Sequence, residues 1–560
     1  VTDTTVNLTL WLLAVLPIVV LVSLVASGRL KTVPAAALTL ALALVLATTA
    51  FRASGAAVTY ALGKGLWTGL WILGVVWTAL LLHAACQAMG MGSLGGLLAT
   101  ILPRGTENVL VAAWIFPSFV QGVAGFGTPI VVSAPLLVSM GLSRVRAVAL
   151  PLIGYNWAVG FGSVGSSFYM GALTARLSAA ETHQYALTAS VLLGANAMLS
   201  GVLVALMHAG RKGLAEGWRL IVVAGPLMAV TQALVVHFEP AVGALAGGTA
   251  GLLVVAVRAV RHHTSQVPGA DDVREPDEVT ALASASGHRP ATSPADQAGA
   301  AVRHGDAADE ARSSFAQLAL VMLPYGVLLV TVLAVLLPSG SRGWVKSHLV
   351  WGPSFPGSTT GRGVSTPAVD SYQGIALLAH PGTFILLATL LSVGFWMLRG
   401  RWPRSGLRTL APTWLRAATR SSWPVLMLAC VATVMSDAGM VRAIAIGISE
   451  VTGRAYPALA GLVGAVGSFT TGSTTSSNAL FAGLQANVAH LMHEPASTLL
   501  AAQLSGGNVG NSIAPVVIVM GAAAVGARDK VGEIFRAVMA PAAVLLLAVV
   551  ALTVAFTVIR

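Results

Sequence analysis

Apolar residues run along this chain in long unbroken blocks, with polar residues gathered between them. Leu8 to Ala26, Pro34 to Ala50 and Val538 to Ile559 each hold about the 20 residues that cross a bilayer as a helix, with no charge in their middles. Blocks of this kind predict helices over roughly 7–28, 34–52, 66–90, 144–172, 186–209, 218–236, 240–258, 315–337, 373–398, 422–449, 496–525 and 533–558. Two regions break the pattern. Residues 108–140 and 456–487 are each long enough for two half-crossings, yet glycine and polar residues interrupt them at mid-length. The stretch 262–314, with DDVREPDE and ASASGHRPATSPADQ, has no apolar periodicity and predicts a disordered cytoplasmic linker. It divides a first membrane half, 1–261, from a second, 315–560. A further polar stretch, 338–372, is rich in Gly, Ser and Pro and predicts an ordered or semi-ordered loop.

Composition carries the same message. Of 560 residues 56% are hydrophobic and 9% charged, whereas a soluble domain carries about 25% charged residues to face water. The mean hydropathy is +0.81. The first apolar block lacks a basic leader and a small-x-small cleavage site, so a retained helix is expected rather than a signal peptide. The net charge of +12 is spread over short loops, which is a membrane-orientation pattern and not a nucleic-acid stripe. Cys86 and Cys430 both lie in apolar stretches and offer neither a disulfide framework nor a metal site.

Lys and Arg orient the chain, because cytoplasmic loops carry the excess of both. Arg29 with Lys31, Arg104, Arg144 with Arg146, Arg211 with Lys212, Arg258 with Arg261, the cluster Arg399 to Arg420, and Arg528 with Lys530 define the inner side. Placing all of them inside requires an external N-terminus. It also requires 108–140 to enter and leave from the cytoplasm while 456–487 enters and leaves from outside. The predicted fold is therefore an all-α polytopic membrane protein with an inverted repeat and two oppositely oriented re-entrant hairpins, the architecture of an elevator-type transporter. Arg52, Lys64, Arg342, Lys346 and Arg454 fall on the outer side, against the rule.

The interrupted segments hold the candidate chemistry. In FPSFVQGVAGFGTPIVVSAPLL, the turn Gln121 to Pro129 packs Gly122, Gly125, Gly127 and Pro129 into nine residues, which few helices survive. Backbone freed inside a membrane must be buried in protein or line a wet cavity. A helix restarting near Thr128 would aim free N–H groups there, a natural carboxylate site. In GAVGSFTTGSTTSSNALFAGLQ, Thr470 to Asn478 is eight polar side chains and one glycine. Each hairpin precedes a helix with its own polar break: one offers Tyr155, Asn156, Ser163, Ser166 and Ser167, the other Ser505, Asn508, Asn511 and Ser512. The candidate substrate-binding residues are accordingly Gln121, Gly125, Gly127, Thr128, Tyr155, Asn156, Ser163, Ser473, Thr474, Ser476, Ser477, Asn478, Asn508, Asn511 and Ser512. Small residues at helical spacing usually serve close packing, and a lone Ser or Thr usually bonds its own backbone. Clustering, not any single residue, favours a site. Asp437 is the candidate proton-coupling group, since an ionisable residue within the membrane is costly to keep. The competing reading is an Asp at a helix end near Arg442 or water. Lys64, His83 and Glu107 are expected to snorkel to the boundary.

QGVAGFGTP, TGSTTSSNALF and GGNVGNSIAP, together with VVAGPLMAVTQ, resemble the bacterial L-lactate permease family over nearly the whole chain. The resemblance implies proton-coupled uptake of lactate, with glycolate often accepted, in the bacterial inner membrane. It also implies two re-entrant hairpins in a mobile domain beside a scaffold. The implied partners are a lactate-like anion, a proton and the lipid bilayer, with a homodimer left open and no nucleic acid, cofactor or metal. Where the family pattern has an aspartate this chain has Thr474; where it has a lysine this chain has Asn511; and where glutamine follows the proline this chain has Val516. Loss of both charges is what a paired Asp and Lys would leave, since removing one partner alone strands a buried charge. The alternative within transport is a sodium-coupled carrier of another small organic anion. An intramembrane enzyme is disfavoured, because the chain holds no HExxH, no GxSxG and no paired intramembrane aspartates. A channel would need a pore-lining ring from an oligomer and a sensor would need a signalling domain, and 262–314 is too short and polar to be one.

Overall fold

The structure is a computed structural model describing residues 7–26, 30, 32–89, 105–125, 127–264, 320, 322–403 and 405–559. The expected linker at 262–314 lies outside the described residues beyond Thr264, as do Arg29, Lys31, Arg104 and Arg404.

The described helices of the first half are α1 (Leu8–Ala26), α2 (Thr32–Thr49), α3 (Gly55–Ala88), α4 (106–123), α5 (Thr128–Ser139), α6 (Arg144–Gly154), α7 (Gly162–Thr174), α8 (Ala179–Val236) and α9 (Gly243–Thr264). Those of the second half are α10 (Met322–Leu336), α11 (Ser339–Ser347), α12 (Pro381–Leu398), α13 (Gly406–Asp437), α14 (Met440–Thr452), α15 (Tyr456–Thr471), α16 (Thr474–Met492), α17 (Ala496–Ser512), α18 (Pro515–Ala524) and α19 (Val531–Val558). Eight of the described helices are long and apolar enough to cross a membrane, or up to ten if each bent pair is one span. The chain is a multi-pass membrane protein.

Several boundaries move for identifiable reasons. Helix α3 starts at Gly55, well before 66, because the Ser54 hydroxyl accepts from the Ala57 N–H and caps it. The expected helices 186–209 and 218–236 are the two arms of α8, folded back on each other at Ala209–Gly210, so that Gly194 lies against Ala229 and Gly225 against Met198. The Ser178–Glu181 capping box starts that pair. The segment 422–449 divides at Gly439, which holds φ +87° against Val364. Residues 373–380 are not helical and belong to a cap over one end of the bundle. The cap contains strands β1 (Val350–Trp351), β2 (Ser358–Thr359), β3 (Ser365–Thr366) and β4 (Ile375–Ala376), paired antiparallel as β1 with β4 and β2 with β3. These short strands are the one departure from all-helical structure among the described residues.

Three apolar clusters hold the bundle together. One joins α1–α3 to α13 and α14 through residues such as Ala43, Leu73, Leu428 and Ile444. A second centres on α4, α6 and α8 around Trp114, Leu193 and Met228. The third seats α18 and α19 on α5 and α6 through Ile130, Ile153, Ile518 and Leu545. Each fully buried Leu or Ile contributes about 1.5–3 kcal/mol where it leaves water; inside lipid the gain is close packing instead. Small residues supply that packing at matching places in the two halves. A side chain at Gly154 would strike the Ala113 backbone of α4, and one at Gly464 or Gly506 would strike the backbone across the α15–α17 contact.

Candidate functional site

Each interrupted segment is a pair of helices joined through a glycine-bearing break. In the first, α4 contains a π-helical turn at Val111–Ile115, unwinds after Val123, and α5 restarts at Thr128 behind Gly127, whose φ is +86°. In the second, α15 ends at Thr471, Gly472 reverses the chain at φ +67°, and Ser473 caps α16 by accepting from the Ser476 N–H at 3.3 Å. Only glycine takes these dihedrals without strain. The tips converge. A Cβ on Gly127 would meet Met520, and a Cβ on Gly472 would meet Val516, two residues one turn apart on α18.

Both following helices break next to the tips. The first break runs from Tyr155 through the turn Asn156–Ala158 to Gly162, and Ser163, Val164 and Gly165 then hold φ of 48°, 53° and 74°. A β-branched residue at positive φ is an outlier that only its surroundings can enforce. The second break is at Ile513–Ala514, where α17 and α18 bend by 44°.

Hydrogen bonds then tie the two halves of the chain together. Asn156 Nδ2 donates to Ser512 Oγ at 2.8 Å, and Asn508 Nδ2 to the Trp157 carbonyl at 3.4 Å. Ser167 Oγ lies 3.0 Å from Thr475 Oγ1, and Asn478 Nδ2 donates to the Ser167 carbonyl at 2.7 Å. Gln503 donates to Asn478 Oδ1 at 3.2 Å. Gln121, Gly125 and Ser163 form a neighbouring group: a Cβ on Gly125 would meet both the Ser163 hydroxyl and the Gln121 amide. Asn511 Nδ2 donates to the Gly472 carbonyl at 3.1 Å, and Thr474 Oγ1 to the Gly507 carbonyl at 3.3 Å. Positions 474 and 511 thus meet the same tip and the same face of α17.

Burial sorts these residues. Thr474, Ser476, Ser477, Asn478, Asn508 and Ser512 are each at most 8% exposed, and Asn156 is fully buried. Gly127, Thr128, Gly472, Ser473 and Asn511 are half-buried and form the accessible rim. The Asn156 and Asn508 side-chain carbonyls and the Ser505 and Ser468 hydroxyls are buried without a protein partner. Such groups cost about 1–3 kcal/mol each when unsatisfied, so they mark space for water or a polar ligand. Ser477 bonds the Gly464 carbonyl at 3.0 Å and fastens the hairpin arms to each other. Thr470 and Thr471 bond carbonyls of the preceding turn, the ordinary fate of membrane hydroxyls. Tyr155 packs in the apolar cluster with Val509 and Val517.

Asp437 is elsewhere. It is the last residue of α13, and its carboxylate accepts from Lys64 Nζ at 3.0 Å and from Arg176 Nη2. Lys64 does not snorkel: its side chain is 1% exposed, with the Phe355 and Tyr372 rings 5.9 and 5.8 Å away. Glu107 pairs with Arg258 at 2.6 Å. Sequence reasoning missed Arg176 and the cap residues Tyr372 and Gln373. The available signal was Lys64, left on the outer side against the orientation rule and now found in the same cluster.

A family model for L-lactate permease matches residues 11–559. The chain belongs to the L-lactate permease family. It is 26% identical over 546 residues to the L-lactate permease of Escherichia coli (strain K12), covering 94% of this chain and 92% of that one. It is 27% identical over 553 residues to the glycolate permease GlcA of the same strain, covering 94% and 91%. The L-lactate permease of Bacillus subtilis (strain 168) is 27% identical over 560 residues, covering 97% and 95%. Among solved structures, the YdaH transporter of Alcanivorax borkumensis aligns over 88% of this chain and 86% of its own at a TM-score of 0.41 and 14% identity. MtrF of Neisseria gonorrhoeae aligns over 87% and 82% at 0.44 and 15%.

Proposed function

We propose that this protein takes up L-lactate or a related 2-hydroxy monocarboxylate such as glycolate across a bacterial inner membrane, driven by the proton gradient. The convergence of both hairpin tips on one turn of α18 carries the reading. It builds a single site from two half-crossings, with the N-termini of α5 and α16 supplying free N–H groups to a carboxylate. Burial of the hydroxyl-rich tip supports re-entrance, because a full crossing would leave that tip in water. Helix α5, at 12 residues, is about 18 Å long and falls short of a bilayer core of about 30 Å. Hydroxyls and amides around the tips suit the substrate's 2-hydroxyl. Asp437 takes and releases the coupling proton beside its buried partner Lys64, as one hairpin-bearing body moves past a scaffold of α1–α3 and α13.

The test is uptake of labelled lactate, glycolate and acetate into vesicles with pH and sodium gradients imposed separately. Lactate and glycolate accumulation under an inward proton gradient alone is the expected result. Accumulation that requires sodium and ignores pH would replace this reading with the sodium-coupled one.

A further inference from the structure

The cluster around Asp437 is unbalanced. Four ion pairs form among the described residues, and Asp437 is the only carboxylate in those of Lys64 and Arg176. Two cations therefore face one anion. The Lys64 and Asp437 side chains are 1% and 3% exposed and neutralise each other in a closed setting. The charge left over sits on Arg176, whose side chain is 35% exposed and can be reached from outside the cluster. A half-buried cation that shares its one counter-charge is costly, and a guanidinium has five N–H donors, more than Asp437 and the neighbouring Tyr372 hydroxyl take up.

The surroundings are built to hold this residue in place. Arg176 follows the C-terminus of α7 at φ +55°. The cap strip is pinned directly over it: Gln373 Nε2 donates to the Leu173 carbonyl at 2.7 Å and to the Tyr372 hydroxyl at 3.3 Å. Thr68 Oγ1 on α3 donates to Gln373 Oε1 at 2.7 Å. The cap thus clamps the end of α7 against α3. Arg176 lies just past Thr174, the last residue of α7, which is about 10 Å along the helix from Ser167, whose hydroxyl meets Thr475. It lies at the end of the bundle away from Arg399, Arg401 and Arg408, because α12 and α13 each run the length of the bundle between the two.

We propose that Arg176, held by Asp437 under the Tyr372–Gln373 strip, is an outer docking site where the carboxylate of an incoming monocarboxylate binds before it reaches the hairpin tips. The identity of that monocarboxylate rests on the function proposed above; the site itself rests on charge and geometry. A planar guanidinium with free donors binds a carboxylate in a forked pair. Occupancy brings the cluster to electrical neutrality.

Arg176→Gln is the informative variant, since it leaves the Lys64–Asp437 pair neutral and intact. In reconstituted vesicles, the KM for external L-lactate should rise about ten-fold or more in Arg176→Gln with the maximal rate retained, the loss of one charge-assisted contact. Arg176→Lys should fall between the two. Added salt should raise the wild-type KM more than that of the variant. An unchanged KM, or a fall in maximal rate alone, overturns the proposal. If the wild type moves no lactate, the substrate assignment has failed and the site is judged separately. Full-length protein in detergent is then heated with acetate, formate or the neutral amide lactamide. Stabilisation by the two anions in the wild type and Arg176→Lys, but not in Arg176→Gln, supports the site. Equal shifts in all three, or none in the wild type, overturn it. Should Arg176→Gln not fold, the KM of Arg176→Lys carries the test: a rise above the wild-type value supports the site, and a value no higher than the wild type's overturns it.

Discussion

At the scale of single residues, the charges around Asp437 and the uncharged pair Thr474 and Asn511 offer the sharpest tests. Asp437→Asn keeps the shape of the carboxyl but leaves Lys64 buried opposite a neutral amide, a loss of about 3–5 kcal/mol where the partner is fully enclosed. Thermal unfolding of Asp437→Asn should show that loss, and Lys64→Met in the same chain should recover part of it. Uptake by Asp437→Asn should also lose its dependence on external pH; a pH profile like that of the wild type refutes the proton role. Thr474 and Asn511 give the converse case. Thr474 touches α17 at Gly507, and Asn511, four residues on, touches the tip at Gly472. A lysine placed alone at 511 brings an unpaired charge to this half-buried tip. Asn511→Lys should therefore destabilise, and Thr474→Asp added to it should restore stability beyond the sum of the single effects, as read from a double-mutant cycle of unfolding midpoints. Additivity would show that the two positions do not form a pair.

At the scale of elements, the working parts are helix ends and not helix middles. Both hairpins turn on one glycine at positive φ, and both glycines back onto α18. Gly472→Ala puts an L side chain into the left-handed region, at about 1–2 kcal/mol, and drives its Cβ into Val516. The expected outcome is uptake reduced at least ten-fold in a folded protein, with partial rescue by Val516→Ala, which makes room for the new methyl but cannot remove the backbone strain. Full activity of Gly472→Ala would mean that the tip is not a working hinge. The break in α7 follows the same logic by another route. Ser163 and Val164 take left-handed dihedrals without being glycine, and the packing of Gly162 on Gln121 and of Gly165 on Ala241 is what enforces them.

At the scale of the molecule, the two hairpins should open toward opposite faces. Cys86 and Cys430 are buried, so a background of native thiols does not obscure labelling. A cysteine at Ser143, in the turn after the first hairpin, should react with an impermeant maleimide only from the cytoplasmic side. One at His493, after the second, should react only from outside. Labelling of both from one side would remove the inverted repeat. The cap over residues 338–380 belongs to this scale as well, since it bridges the halves through Gly361 N–H to the Arg52 carbonyl and Arg362 to the Ala50 carbonyl.

The sequence by itself determined that the chain is membrane-embedded, where its helices lie and where they fail. Those properties follow from local composition: an apolar block of sufficient length is a helix in lipid, and a helix breaks inside Gln121–Pro129 and inside Thr470–Asn478, at residues 124–127 and 472–473. It also grouped the polar residues that the bundle packs around the two tips, because clustering survives in one dimension. Pairing does not. Asn156 with Ser512, Ser167 with Thr475, and Lys64 with Asp437 are separated by 356, 308 and 373 residues, and only the packed bundle brings them within hydrogen-bond reach. For the same reason Lys64 read as a boundary residue and Arg176 went unnoticed. Whether a charge is tolerated in a membrane depends on the partner opposite it, and that partner is chosen by tertiary structure.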